Sequence, residues 1–305
     1  MPTPAIDIRH VSKLFDSHRA VDDLSLIVPD GAIYGFIGPN GSGKTTTLRM
    51  ILNIIAPDRG SIDVLGEPAS AATRDAIGYL PEERGLYKKM QVRRLLRYYG
   101  RLKGRTVAEL DPVISRWLER LQLSEWADKR VDQLSKGMAQ KVQFVAAMVA
   151  RPRLLILDEP FSGLDPVNAE ALRAAVLDLR REGTTIVFST HDMATAEKMC
   201  DRILMIFKGR KVLDGSLAEI QAEYGHDTIR VAVSGGLSAL SGLADLESVI
   251  DHGNYQDVRV TGSPNALLQQ LVLRAEVRHF EIMRPSLADI FVRIAGPSAT
   301  IDGAA

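Results

Sequence analysis

Gly38-Pro39-Asn40-Gly41-Ser42-Gly43-Lys44-Thr45 follows the phosphate-loop spacing of Gly, four residues, then Gly-Lys-Thr. Its flanks fit. Residues 31–37 form an apolar run expected to be a buried strand and residues 46–52 a helix, so the glycines fall on a strand-to-helix turn. Three glycines permit turn conformations that a Cβ forbids, letting successive N–H groups converge on an anion beside the positive end of the helix. Lys44 then reaches the terminal phosphates. Thr45 offers a hydroxyl to Mg²⁺, which needs oxygens from elsewhere too and bridges the phosphates during transfer. A glycine turn capping an ordinary helix is the bland reading of the same residues. The motif specifies a nucleotide and leaves the task open.

The chain's 305 residues suffice for one large domain and a smaller one, and a 46% hydrophobic content suits a globular protein with a sizeable core. Formal charges cancel to zero, against the basic excess that a nucleic-acid footprint needs, so no nucleic acid is expected as a partner. The balance hides a local patch: residues 84–105 hold nine Lys or Arg and no acid, whereas no lysine follows Lys211. That run is either a solvated helix face or a surface for an acidic partner or anionic lipid heads. The single Cys200 excludes an internal disulfide and fits a reducing compartment, so a cytoplasmic location is expected. The opening residues 1–7 lack the basic start and apolar core of a secretory signal. No apolar run approaches the roughly 18 residues of a membrane span. Any membrane role is expected to come through a partner chain.

Residues 6–28 alternate as two strands around the polar turn Asp16-Ser17-His18-Arg19. Phe15, just before that turn, is either strand packing or an aromatic face for a base. Residues 61–65 and 77–80 read as further strands, Pro81 ending the second. From about residue 85 to 131 the period becomes helical. Leu95, Leu96, Tyr99 and Leu102 share one face; Asp111 is expected to cap a helix with Pro112 in its first turn and Ile114, Trp117, Leu118 and Leu121 along its buried stripe. Leu134-Ser135-Lys136-Gly137-Met138 opens another helix, and Ser135 with the Gly137 N–H is placed to hold a second anion.

Leu154-Leu155-Ile156-Leu157-Asp158-Glu159-Pro160 is an apolar strand of the kind buried in parallel sheets, and ligands bind at the carboxyl ends of such strands. Asp158 is expected to hold Mg²⁺ with Thr45 through water, and Glu159 to polarise an attacking water. Two solvated acids at a strand end are the alternative. Residues 162–166 turn into a helix reaching 181, and the strand 184–189 delivers His191 to the same sheet edge, where contact with the terminal phosphate is favoured over a structural role. Residues 203–206 and 211–213 form a hairpin about Gly209. Past about residue 225, strands at 228–233, 257–261 and 277–283 with helices at 265–274 and 286–294 make a small α+β unit of ferredoxin-like kind, followed by a frayed tail.

The order of phosphate loop, helical insertion, Leu-Ser-Lys-Gly-Met, Leu-Leu-Ile-Leu-Asp-Glu-Pro, Ser-Gly-Leu-Asp and His191 resembles the nucleotide-binding subunits of ABC transporters over residues 6–223. The resemblance implies an α/β P-loop ABC cassette, with a mixed, largely parallel sheet and a helical subdomain at about 85–150, over residues 1–224. A C-terminal accessory α+β domain would fill 225–296, and a flexible tail 297–305. It implies that Gly38, Pro39, Asn40, Gly41, Ser42, Gly43, Lys44, Thr45 and Thr46 bind the phosphates of Mg-ATP, and that Ser135 and Gly137 form the signature loop. Asp158 becomes the metal-side acid, Glu159 the general base, Asp165 part of the subunit-contact loop, His191 the phosphate switch and Phe15 the adenine stacker. The family works as a dimer in which one subunit's signature loop closes over ATP on the other, and its partner is an integral-membrane permease on a separate chain. The expected location is therefore peripheral, on the inner face of the cell membrane.

Two departures stand out. Glu82 replaces the family's usual Gln, giving an acceptor without an amide donor at a position expected to meet metal and water. Lys136 and Met138 replace the usual Gly and Gln of the signature loop, which keeps its Ser and second Gly. Both variants, with Pro81-Glu82-Glu83-Arg84-Gly85-Leu86-Tyr87 and Pro285-Ser286-Leu287-Ala288-Asp289-Ile290-Phe291, look like the bacterial ABC-2 exporters of the sodium and antibiotic efflux branch. A soluble mechanical ATPase acting on ribosomes or DNA usually carries two cassettes or a long coiled coil; one phosphate loop and no sustained heptads are found here. A small-molecule kinase or GTPase would leave Ser135, Gly137 and His191 idle.

Overall fold

A computed structural model describes residues 3–83, 85–224, 228–243 and 245–296. The chain divides into two compact units between Ser216 and Leu217. Within the first unit, β1 (Ile6–Phe15) and β2 (His18–Val28) form the hairpin, and with β4 (Arg59–Val64) and β5 (Glu67–Pro68) an antiparallel sheet of order β2-β1-β4-β5. The second sheet carries the chemistry. It runs β10-β9-β3-β8-β7-β6, from β3 (Ile33–Ile37), β6 (Ile77–Leu80), β7 (Leu154–Asp158), β8 (Thr185–Thr190), β9 (Arg202–Phe207) and β10 (Arg210–Gly215). All its pairings are parallel except β9 with the edge strand β10. Every residue of β3, β7 and β8 is buried, as strands covered on both faces must be.

Around this sheet lie α1 (Lys44–Ile51), the short α2 (Ala71–Asp75), α6 (Pro166–Arg181) and α7 (Met193–Met199). The helical insertion consists of α3 (Val92–Leu102), α4 (Val107–Arg120) and α5 (Lys136–Met148). Its core joins Leu95, Leu96, Ile114, Trp117 and Phe144 to sheet residues Leu80, Leu155 and Leu157. The rings of Trp117 and Phe144 meet edge to face at 6.2 Å.

Two sequence expectations are corrected here. Asp111 does not cap α4. Thr106 does, its hydroxyl accepting the Glu109 N–H while the Glu109 carboxylate accepts the Thr106 N–H, and Pro112 lies inside the helix. The reciprocal box satisfies the first-turn donors, and the buried stripe of Leu110, Ile114, Trp117 and Leu118 outweighs the one hydrogen bond the proline removes. Asp111 instead takes two hydrogen bonds from Arg97, at 2.6 and 2.7 Å. Thr106→Ala is accordingly expected to cost about 1 kcal/mol in urea unfolding, more than Asp111→Ala, which loses an exposed pair. An equal or reversed order would return the cap to Asp111. Leu102, expected on the buried face of α3, is 62% exposed because the helix ends there over an open cleft.

The second unit holds α8 (Leu217–Glu223), α9 (Leu237–Leu240), α10 (Pro264–Arg274) and α11 (Leu287–Ala295) with β11 (Thr228–Val233), β12 (Leu246–Asp251), β13 (Gln256–Val260) and β14 (Val277–Met283). The sheet is antiparallel, of order β12-β13-β11-β14, which with α9 and α10 as crossovers is the ferredoxin-like βαββαβ arrangement. The short α8 belongs with this unit, ahead of the sequence-based domain start at 225. The expected tail at 297–305 lies outside the described residues.

Candidate active site

The carboxyl ends of β3, β7 and β8 gather the polar candidates at one sheet edge. β3 runs directly into the phosphate loop, where Gly38 (φ 149°) and Gly43 (φ 108°) adopt backbone conformations that side chains rarely take. A Cβ on Gly43 would stand 2.4 Å from the carbonyl oxygen of Ala20, and one on Gly38 2.2 Å from that of Ile206. Both obstacles are backbone, so no rotamer change relieves them. Gly43→Ala is therefore expected to lower stability by about 1–3 kcal/mol through backbone strain and to weaken nucleotide binding as the loop shifts. Urea unfolding with nucleotide titration measures both, and an unchanged variant would show that the loop tolerates a side chain there.

Lys44 begins α1 and is buried, its Nζ donating to the carbonyls of Gly38 at 2.8 Å and Pro39 at 3.0 Å. Burial holds its ammonium below the ordinary lysine range, while the carboxylates of Glu159, Asp158 and Glu82 pull the other way. Asp158 ends β7 at 1% exposure. Its Oδ1 accepts from Thr45 Oγ1 at 3.2 Å and from Ser189 Oγ. Its Oδ2 is buried and, like Ser42 Oγ in the loop, has no partner among the described residues. A buried carboxylate oxygen left open beside a threonine hydroxyl suits a hard, oxygen-seeking cation, so the residues present fit Mg²⁺.

Glu159, the next residue, is 8% exposed and has φ 48°, a strained conformation of the kind kept at functional sites. Its N–H donates to Ser189 Oγ at 2.9 Å, and His191 Nδ1 stands 3.0 Å from its Oε1. A cavity of about 440 Å³ opens over the loop, lined by Phe15, His18, Ala20, residues 40–46, Glu82 and Glu159. Phe15 is 45% exposed, so it does not pack in the core; it reaches this cavity from the end of β1. A second cleft, of about 410 Å³, lined by Ile54, Leu102 and Arg153 among others, carries none of these groups.

Some expected residues do not meet the others within one chain. Ser135 and Gly137 do not line the cavity: Ser135 caps α5, its hydroxyl accepting the Met138 N–H at 3.2 Å, and Gly137 packs against Asn168. Asp165 caps α6 through the Asn168 N–H at 2.9 Å, which holds its carboxyl below the usual range. His191 is half exposed and touches Glu159 without lining the cavity. Several cations of the basic run 84–105 have internal partners. Arg97 holds Asp111, Lys103 reaches the carbonyls of Arg74 and Ile77, and Arg105 that of Ala150. Sequence reasoning missed Ser189, which ties Asp158 to Glu159; its signal is a hydroxyl near the end of a buried strand, two residues before His191.

Residues 21–162 match the family model described as ABC transporter, and residues 215–295 the model described as the C-terminal domain of ATP-binding protein DrrA1-3-like proteins. Among curated proteins, the uncharacterized ABC transporter ATP-binding protein YhaQ of Bacillus subtilis is 41% identical, covering 95% of this chain and 98% of its own length. Nod factor export ATP-binding protein I of Rhizobium sp. strain N33 is 35% identical over 97% of this chain and 98% of its own. Among solved structures, an ATP-binding subunit of an ABC transporter superposes with a TM-score of 0.68 at 31% identity, covering 73% of this chain and 94% of its own.

Proposed function

This chain belongs to the ABC transporter family as one of its ATP-binding subunits, an ATPase, and from that premise we propose that it powers export through integral-membrane permease subunits on a separate chain. No helix among the described residues is long and apolar enough to cross a membrane, and the likeness to an export ATP-binding protein over nearly the whole chain supports the exporter reading. A soluble ATPase acting on ribosomes or nucleic acid is not favoured, since the relatives are transporter subunits.

Two copies bind Mg-ATP between them at the cytoplasmic side of the membrane. In each, the loop amides of residues 38–46 and Lys44 hold the phosphates, and Phe15 offers a face to the base. Thr45, Asp158 and Glu82 would supply oxygens to Mg²⁺, which would neutralise phosphate charge. Glu159 takes the proton of the attacking water, and His191, in contact with it, orients that carboxylate beside the terminal phosphate. Ser135 and Gly137 close over the nucleotide of the other copy. The observation that carries this reading is the split itself: one chain brings together the cavity, Lys44, Asp158 and Glu159 but leaves its signature loop off that cavity.

Crosslinking tests it. With Cys200 replaced by Ser, Asn40→Cys and Lys136→Cys in one chain should form intermolecular disulfides under saturating Mg-ATP when hydrolysis is blocked. Absence of any such crosslink would remove the shared-nucleotide dimer.

A further inference from the structure

Glu82 lines the nucleotide cavity from a segment with little of its own to hold it. β6 ends at Leu80, and residues 81–83 make no backbone–backbone hydrogen bond outside the regular elements among the described residues. Among the described residues, one side chain ties the segment down. Gln143, on α5 and 5% exposed, donates from Nε2 to the carbonyl oxygens of Pro81 at 3.2 Å and Glu83 at 3.4 Å, bracketing Glu82 on both sides. Its Oε1 is buried with no partner among the described residues. An unsatisfied buried acceptor costs stability, so this site keeps a carboxamide where an apolar side chain of equal size would cost less.

The same helix grips the other carboxylate's loop. One turn earlier on α5, Gln140, 3% exposed, donates from Nε2 to the carbonyl of Pro160 at 3.2 Å, directly after Glu159. Residues three apart share a helix face. A single face of α5 therefore holds the backbone beside both acids, and the N-terminus of α5 is the loop capped by Ser135.

We propose that Gln143 is a positioning residue for hydrolysis: its carboxamide sets the place of Glu82 at the cavity and transmits movement of the Ser135 loop to that carboxylate. This rests on the ATPase reading above. Gln143 does not line the nucleotide cavity. It acts through the backbone of residues 81–83.

The test is a double-mutant cycle between Gln143→Met, which keeps the volume and removes the donor, and Glu82→Ala. In the otherwise wild-type chain, Gln143→Met should lower kcat about five- to tenfold, the worth of a hydrogen bond, with KM for ATP nearly unchanged. In the Glu82→Ala background it should have no further effect, because the group it positions is gone. The backbone amide chemical shifts of Glu82 and Glu83, which follow the carbonyls that Gln143 holds, should move in Gln143→Met, while the melting temperature stays close to that of the parent. An unchanged kcat, or an equal fold-loss in both backgrounds, would overturn the proposal and leave Gln143 a packing residue. Should Gln143→Met not fold, Gln143→Asn keeps the amide but shortens its reach, and the same cycle applies. A wild-type chain that hydrolyses no ATP would sink the ATPase reading, whereas unmoved amide shifts at Glu82 and Glu83 sink the positioning role by themselves.

Discussion

Glu159→Gln is expected to lower kcat by about 10²–10⁴-fold, the usual contribution of a general base, while leaving Mg-ATP binding intact. The substitution is close to isosteric. It keeps a polar end facing His191, at the 3.0 Å separation seen for the carboxylate, and keeps the Glu159 N–H on Ser189, so the strained turn with φ 48° loses no partner. What it removes is the capacity to accept a proton from water. Binding, which the proposed function places on the loop amides, Lys44, Thr45 and Asp158, should be untouched, so nucleotide should accumulate in the closed state and dimers build up. Single-turnover hydrolysis and light scattering in saturating Mg-ATP check the two halves. A variant that hydrolyses at the wild-type rate would take the base away from Glu159, and one that hydrolyses slowly without forming dimers would separate hydrolysis from closure.

Much of this site was legible because its signals are local. The loop from Gly38 to Thr45 and the strand from Leu154 into Asp158 and Glu159 each carry their meaning within eight residues, and parallel pairing of buried strands then delivers them to one edge. Ser189 was not legible in the same way. Its role depends on Asp158 and Glu159, about 30 positions earlier, and appears only when β7 and β8 lie side by side. Gln143 is further still, reaching across some 60 positions to residues 81 and 83.

The errors in the helices and in the second unit have different causes. Pro112 reads as a first-turn residue because proline favours that place, yet the Thr106 and Glu109 box one turn and more upstream is the stronger start signal. Strand β12 escaped because it is an edge strand, exposed at four of its six residues and lacking the alternation that marks a half-buried strand. Leu102 fits the helical period of its neighbours, and only the end of α3 beside an open cleft denies it a partner.

Lys44→Ala is expected to abolish the thermal stabilisation that nucleotide confers while changing the ligand-free protein little. In the wild-type chain, ligand at 100 times its Kd should raise stability by about 2.7 kcal/mol. In the variant, each charge-assisted hydrogen bond lost to phosphate should cost about 1.5–3 kcal/mol of affinity, so a concentration that saturates the wild type leaves the variant largely empty. The ligand-free protein feels two opposing changes. Alanine strips the carbonyls of Gly38 and Pro39 of their Nζ donor, but it also removes a cation that burial disfavours. These offset one another. On the proposed reading the lysine is kept for the anion it would meet, and thermal melts with and without Mg-ATP separate the two effects. A Lys44→Ala protein that melts well below the wild type without nucleotide, yet gains the full shift with it, would make Lys44 a structural residue of the loop and move phosphate recognition to the backbone amides alone.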